Sequence, residues 1–88
     1  MASVTLDPAT AEQALALLDE LIRYQTKRVL ELAQRIHPGL TEEDLRNVHD
    51  FPDVYGDPAF QFEDGQLAGQ VAAKIALKAR LVGGTLAS

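Results

Sequence analysis

The feature that most constrains this chain is a run of positions spaced by alternating steps of four and three: Ala11, Leu15, Leu18, Ile22, Gln25, Val29, Leu32 and Ile36. All but Gln25 are apolar. Residues at these steps share one side of an α-helix, so the run forms a seam over about three heptads that asks for a facing helix. Asp7-Pro8 supplies the start, since Asp accepts from exposed N–H groups at a helix N-terminus and Pro suits the first helical position. His37-Pro38-Gly39 supplies the stop, because a residue before Pro is pushed out of the α region and Gly frees the turn. The spacing therefore predicts a helix over 8–36, roughly 43 Å long at 1.5 Å per residue. That length suits a hairpin or bundle better than an orthogonal fold.

Beyond the turn, Leu40-Thr41-Glu42-Glu43-Asp44-Leu45 restarts a helix. Thr41 can cap the backbone at Asp44 in a carboxylate variant of the capping box, with Leu40 and Leu45 as a hydrophobic staple. A short helix over 41–48 follows. Asp57-Pro58 then repeats the start seen at residue 7 and opens a second long helix, 58–82, that ends at Gly83-Gly84. Gly65 and Gly69 weaken its first half by roughly 1 kcal/mol each relative to Ala, which makes a start near Asp64 the alternative. The expectation is an all-α chain: a single helical domain over 1–88 with loose termini at 1–6 and 84–88.

At 88 residues with no Cys, such a chain has a small core and neither a disulfide nor a thiolate metal site to reinforce it. Oligomerisation is the remaining remedy. The second helix is apolar on two sides. One side, Ala68, Ala72, Ile75, Ala79 and Val82, is expected to pack on the first helix, where small residues let a neighbour approach. The other, Ala73, Leu77 and Leu81, is left facing outward, as are Leu17, Leu21 and Tyr24 of the first helix. Exposed strips of this kind mark an interface, so these six residues are the candidate contacts of a homodimer in which two hairpins form a four-helix bundle. Gln25, alone among apolar seam positions, is assigned to fixing register.

Charge narrows the function classes. Residues 41–64 carry eight acids against Arg46 alone, while residues 65–88 carry three bases and no acid. A surface with such an acidic block repels nucleic acid, whose binding needs Lys and Arg on phosphates. No apolar run approaches the ~20 residues of a membrane span, and no signal-peptide pattern opens the chain, so a soluble, cytoplasmic protein is expected. Catalytic signatures are missing as well. Ser stands only at positions 3 and 88, neither His37 nor His49 has the Glu-x-x-His spacing of a bundle metal site, and Gly83-Gly84 lacks the helix and Lys of a phosphate loop. Catalysis and a cofactor are accordingly not expected.

The stretch 49–65, HDFPDVYGDPAFQFEDG, gathers four of the five aromatics and no Lys or Arg. Its rings, Phe51, Tyr55, Phe60 and Phe62, have the bulk to plug the end of a bundle built otherwise from Leu and Ala. Asp57, Glu63 and Asp64 suit helix starts. His49, Asp50, Asp53 and Tyr55 are left over and form the candidate partner-binding set. Two functions compete on this basis. The first is association, as a homodimeric bundle or small accessory subunit. The alternative is an adaptor or inhibitor that docks a basic partner through the loop 49–64, or a loop that holds a divalent metal or small ligand.

Overall fold

The computed structural model describes residues 7–83, and the termini expected to be loose lie outside that range. Two long helices, α1 (Pro8–Ile36) and α4 (Pro58–Gly83), run antiparallel and pack on each other. Between them come α2 (Glu42–Leu45), a 3₁₀ turn (Val48–Asp50) and α3 (Pro52–Tyr55). The described residues contain no strand. The predicted short helix over 41–48 is thus a single turn, and the aromatic stretch after it is itself mostly helical.

Local chemistry explains each boundary. Asp7 accepts the Thr10 N–H at 2.7 Å, and Pro8 occupies the first helical position of α1. At the other end the His37 N–H donates to the Ala33 carbonyl at 2.8 Å, and Gly39 takes a φ of +88°, a left-handed conformation that a side chain disfavours. Gln34 holds this turn down by donating its amide to the Leu40 carbonyl at 3.0 Å. Thr41 and Asp44 form the predicted reciprocal capping box. Asp57 accepts the Phe60 N–H at 2.9 Å, which places the start of α4 at Pro58 rather than near Asp64.

The core sits at the connected end of the hairpin. Val29 and Ala33 of α1, Leu40 of the turn, Val54 of α3 and Phe60 of α4 are its buried members, with Leu30, Leu32, Ile36, Leu45, Val48, Phe51 and Leu67 packed around them. Full burial of a side chain such as Leu40, Val29 or Val54 stabilises by roughly 1.5–3 kcal/mol each, so this cluster anchors the crossover segments to both long helices. Of the four rings expected to plug this end, Phe60 is buried and Phe51 half-buried, whereas Tyr55 and Phe62 are exposed. Val54 fills the space instead, because the helical turn of α3 points it inward while Tyr55, one residue on, turns out.

The predicted α1 seam faces inward, with Ala11, Gln25 and Val29 fully buried and Leu15, Leu18, Ile22, Leu32 and Ile36 half-buried; Ala33, outside the predicted run, is fully buried as well. The α4 seam differs from expectation. Phe60, Glu63, Leu67, Gln70, Lys74 and Leu77 turn toward α1, whereas Ala68, Ala72 and Ala79 are exposed and Ile75 is 62% exposed. Polar pairs explain the choice. Glu63 reaches Gln25, and Lys74 pairs with Asp19, so both contacts require this face of α4 to look inward. Away from the core the molecule is only a pair of helices; between Pro8 and Tyr24 Ala11 alone is fully buried. Its extents are 45 × 23 × 18 Å.

Candidate interaction surfaces

Where the packed end meets the open half, three side chains tie α1 to α4. The Gln25 amide, only 4% exposed, donates from Nε2 to the Glu63 carbonyl at 2.8 Å and to Glu63 Oε2 at 2.7 Å. Arg28, one helical turn on, donates from Nη2 to Glu63 Oε1 at 3.0 Å. Both carboxylate oxygens are therefore engaged, and the Glu63 side chain is 16% exposed. A charge-assisted hydrogen bond at such a site is worth more than a neutral one and fixes one helix against the other in register. The Arg28 guanidinium also lies over the Tyr24 ring, 5.9 Å from its centroid. Tyr24, and after it the charge of Glu63, hold the Arg28 pKa above its ordinary value.

Beside this clamp runs an open groove of about 530 Å³, lined by Tyr24, Arg28, Glu31, Leu32 and Arg35 of α1 and by Ala59, Phe62 and Glu63 of α4. Tyr24 and Phe62 stand on opposite walls, 62% and 63% exposed. Helical periodicity extends this face along the molecule. Leu17 and Leu21 precede Tyr24 on the same flank of α1, and Gly69 and Ala73 follow Phe62 by seven and eleven residues on the matching flank of α4. Leu17 is 58% exposed, and Leu21 and Ala73 are exposed as well. Four of the six candidate dimer contacts, Leu17, Leu21, Tyr24 and Ala73, thus share one broad face. Leu77, expected to face outward, is instead half-buried in the seam toward α1, and Leu81 is exposed.

The tip of the hairpin has a different character. Local spacing gives Asp53 no structural role, yet its Oδ2 lies 2.9 Å from His37 Nδ1 and its Oδ1 accepts the Val54 N–H at 3.0 Å. The His37 contact, foremost, holds the Asp53 carboxyl below the usual carboxylate range. His37 in turn meets the Phe51 ring edge-on, with centroids 5.0 Å apart. Asp53 therefore fastens α3 to the end of α1. His49 and Tyr55 stack with ring centroids 4.3 Å apart, and both are exposed, as is Asp50. The structure brings these two rings together, while Asp53 is engaged with His37. Among the described residues no group of three His, Asp or Glu side chains is placed to hold a metal ion. No described helix is long and apolar enough to cross a membrane.

Comparison with protein-family models, with curated proteins and with solved structures gave no match. The residues that sequence reasoning missed are Glu63, Arg28, Arg35 and Phe62 as parts of one surface. A signal for the clamp existed: Phe60, Glu63, Leu67, Gln70, Lys74 and Leu77 also follow steps of three and four. Its polar members made it look like a solvent face, although a buried Gln on the facing helix needs such a partner.

Proposed function

We propose that this protein works by self-association: two hairpins pair through the broad face that carries Leu17, Leu21, Tyr24, Phe62 and Ala73, completing a four-helix bundle. Its activity on this reading is assembly rather than catalysis. The observation that carries it is the exposure of Leu17, Leu21 and Tyr24 of α1 beside Phe62 and Ala73 of α4 on one face. Between Phe62 and Ala76 that flank of α4 carries Gln66, Gly69 and Ala73 and no charged side chain. A helix apolar on several sides belongs in an interior, and one neighbouring helix covers a single side.

Size supports the same reading. The broad side of the molecule has an outline of 45 × 23 Å, an upper bound of about 1,000 Å² on what a partner can cover, which leaves room for the ~800 Å² per partner of a standard interface. A second copy is the occupant best matched to it, since a two-fold axis presents the same apolar strip from both sides and small helical domains without disulfides gain stability by pairing. The test uses thermal unfolding at several protein concentrations together with Leu21→Glu. A Tm that climbs with concentration in the parent chain, and stays flat in a folded Leu21→Glu variant, is the expected result. A Tm independent of concentration in the parent chain overturns the proposal.

A further inference from the structure

Resting on that reading of a homodimer, we infer that the two hairpins lie antiparallel, with the Leu17–Leu21 turn of one copy seated in the groove between Tyr24 and Phe62 of the other. The groove offers such an occupant apolar surface from Tyr24, Leu32, Ala59 and Phe62, beside the charged Arg28, Glu31, Arg35 and Glu63, of which Arg28 and Glu63 are tied to each other. Leu17 and Leu21 are spaced by one helical turn and are exposed on the same flank of α1 as Tyr24. When Leu17 of one copy meets Leu32 of the other, Leu21 meets Arg28, and the two-fold axis passes beside Tyr24. The register is self-consistent, because each copy both offers its leucine turn and receives its partner's.

Charge selects this orientation over the parallel one. The tip between His37 and Asp57 holds six acids, Glu42, Glu43, Asp44, Asp50, Asp53 and Asp57, against Arg46. A parallel dimer would set two such tips side by side. In the antiparallel register the tip of each copy lies level with the open end of the partner, where Asp7 and Glu12 at the start of α1 stand beside Lys78 and Arg80 of α4 and the charges balance. The two acidic tips are then kept at opposite ends of the bundle, which avoids the like-charge repulsion of the parallel arrangement.

Because the chain contains no Cys, single cysteines report the arrangement without interference. Tyr24→Cys and Leu17→Cys are each oxidised as the full chain, with circular dichroism confirming the fold and light scattering giving the mass before oxidation. A disulfide-linked dimer for Tyr24→Cys but none for Leu17→Cys is the expected pattern. In the antiparallel register the two Leu17 positions are about 22 Å apart along the axis, at 1.5 Å per residue, far beyond disulfide reach. Crosslinking at both positions identifies a parallel dimer and overturns the inference while leaving self-association intact. Dimeric mass with crosslinking at neither position overturns the seating of the leucine turn in the groove. Monomeric mass across micromolar concentrations overturns both this inference and the association beneath it. An equimolar mixture of the single variants Leu17→Cys and Leu32→Cys gives a mixed disulfide between the two different chains only in the antiparallel register, and supplies an independent check where loss of the Tyr24 ring weakens the dimer.

Discussion

Replacing Gln25 with Leu tests whether the polar clamp is a stabilising contact or a tolerated defect. On sequence grounds alone the substitution should raise the melting temperature, since a Leu would complete an apolar heptad seam. The structure reverses the sign. Gln25 Nε2 makes two short contacts to Glu63, one of them to a carboxylate that is mostly shielded from water. A hydrogen bond to a charged partner contributes about 1.5–3 kcal/mol, and removing its donor strands part of the Glu63 carboxylate. Leu returns about 1 kcal/mol through apolar burial. The net loss is about 0.5–2 kcal/mol, which lowers Tm by roughly 2–15 °C in a domain of this size. Urea unfolding monitored by circular dichroism, at one protein concentration throughout, measures it. Glu63→Leu alone should also destabilise, and the double variant should recover at least ~1 kcal/mol of the summed loss, because both ends of the contact are then gone. A Gln25→Leu chain as stable as the parent, or a double variant whose loss equals the sum, would refute the clamp.

Three further outcomes follow from local geometry. Leu40→Ala empties a side chain at the centre of the core, 1% exposed, and should cost about 2–5 kcal/mol in denaturant titration. Gly65→Ala meets open space in the middle of α4, so it should stabilise the helix by about 1 kcal/mol and raise Tm; a fall in Tm would mean that something approaches Gly65. Asp53 should titrate below the ordinary carboxylate value when followed by carboxyl-carbon NMR, and His37→Ala should bring it back up. The sign is that of a depressed acid: the contribution of Asp53 to stability is present above the unfolded-state value, about pH 3.9, and disappears as pH falls through its lower folded-state value.

Helix boundaries were legible because each is written in adjacent residues. Asp7-Pro8, Thr41 with Asp44, and Asp57-Pro58 all cap within three positions, and short-range chemistry of that kind survives in almost any tertiary context. The face of α4 was not legible. An Ala-rich helix has several four-three seams of similar apolarity, and what chooses among them is a handful of larger or charged side chains. Phe60 enters the core, Glu63 reaches Gln25 and Lys74 reaches Asp19, and together they rotate the Ala68–Ile75 side outward. The contact of Asp53 with His37 was hidden for a related reason. It joins residues 16 apart across two turns, and nothing in local spacing marks the pair.

The strips facing outward were anticipated more successfully than the seam. Leu17, Leu21 and Tyr24 are exposed as expected, because the α1 seam is unambiguous and everything off it must face elsewhere. Their neighbour across the groove, Phe62, was assigned instead to the interior plug. Being two residues past the buried Phe60, it falls on a different side of α4, a consequence of the 3.6-residue turn once the helix is known to begin at Pro58.

Sedimentation equilibrium of the unmodified chain, from low to high micromolar concentration, tests self-association most directly. The expected result is a mass approaching twice the 9.6 kDa of one chain, with a reversible fall toward the single-chain value on dilution. A mass of one chain at every concentration would contradict it.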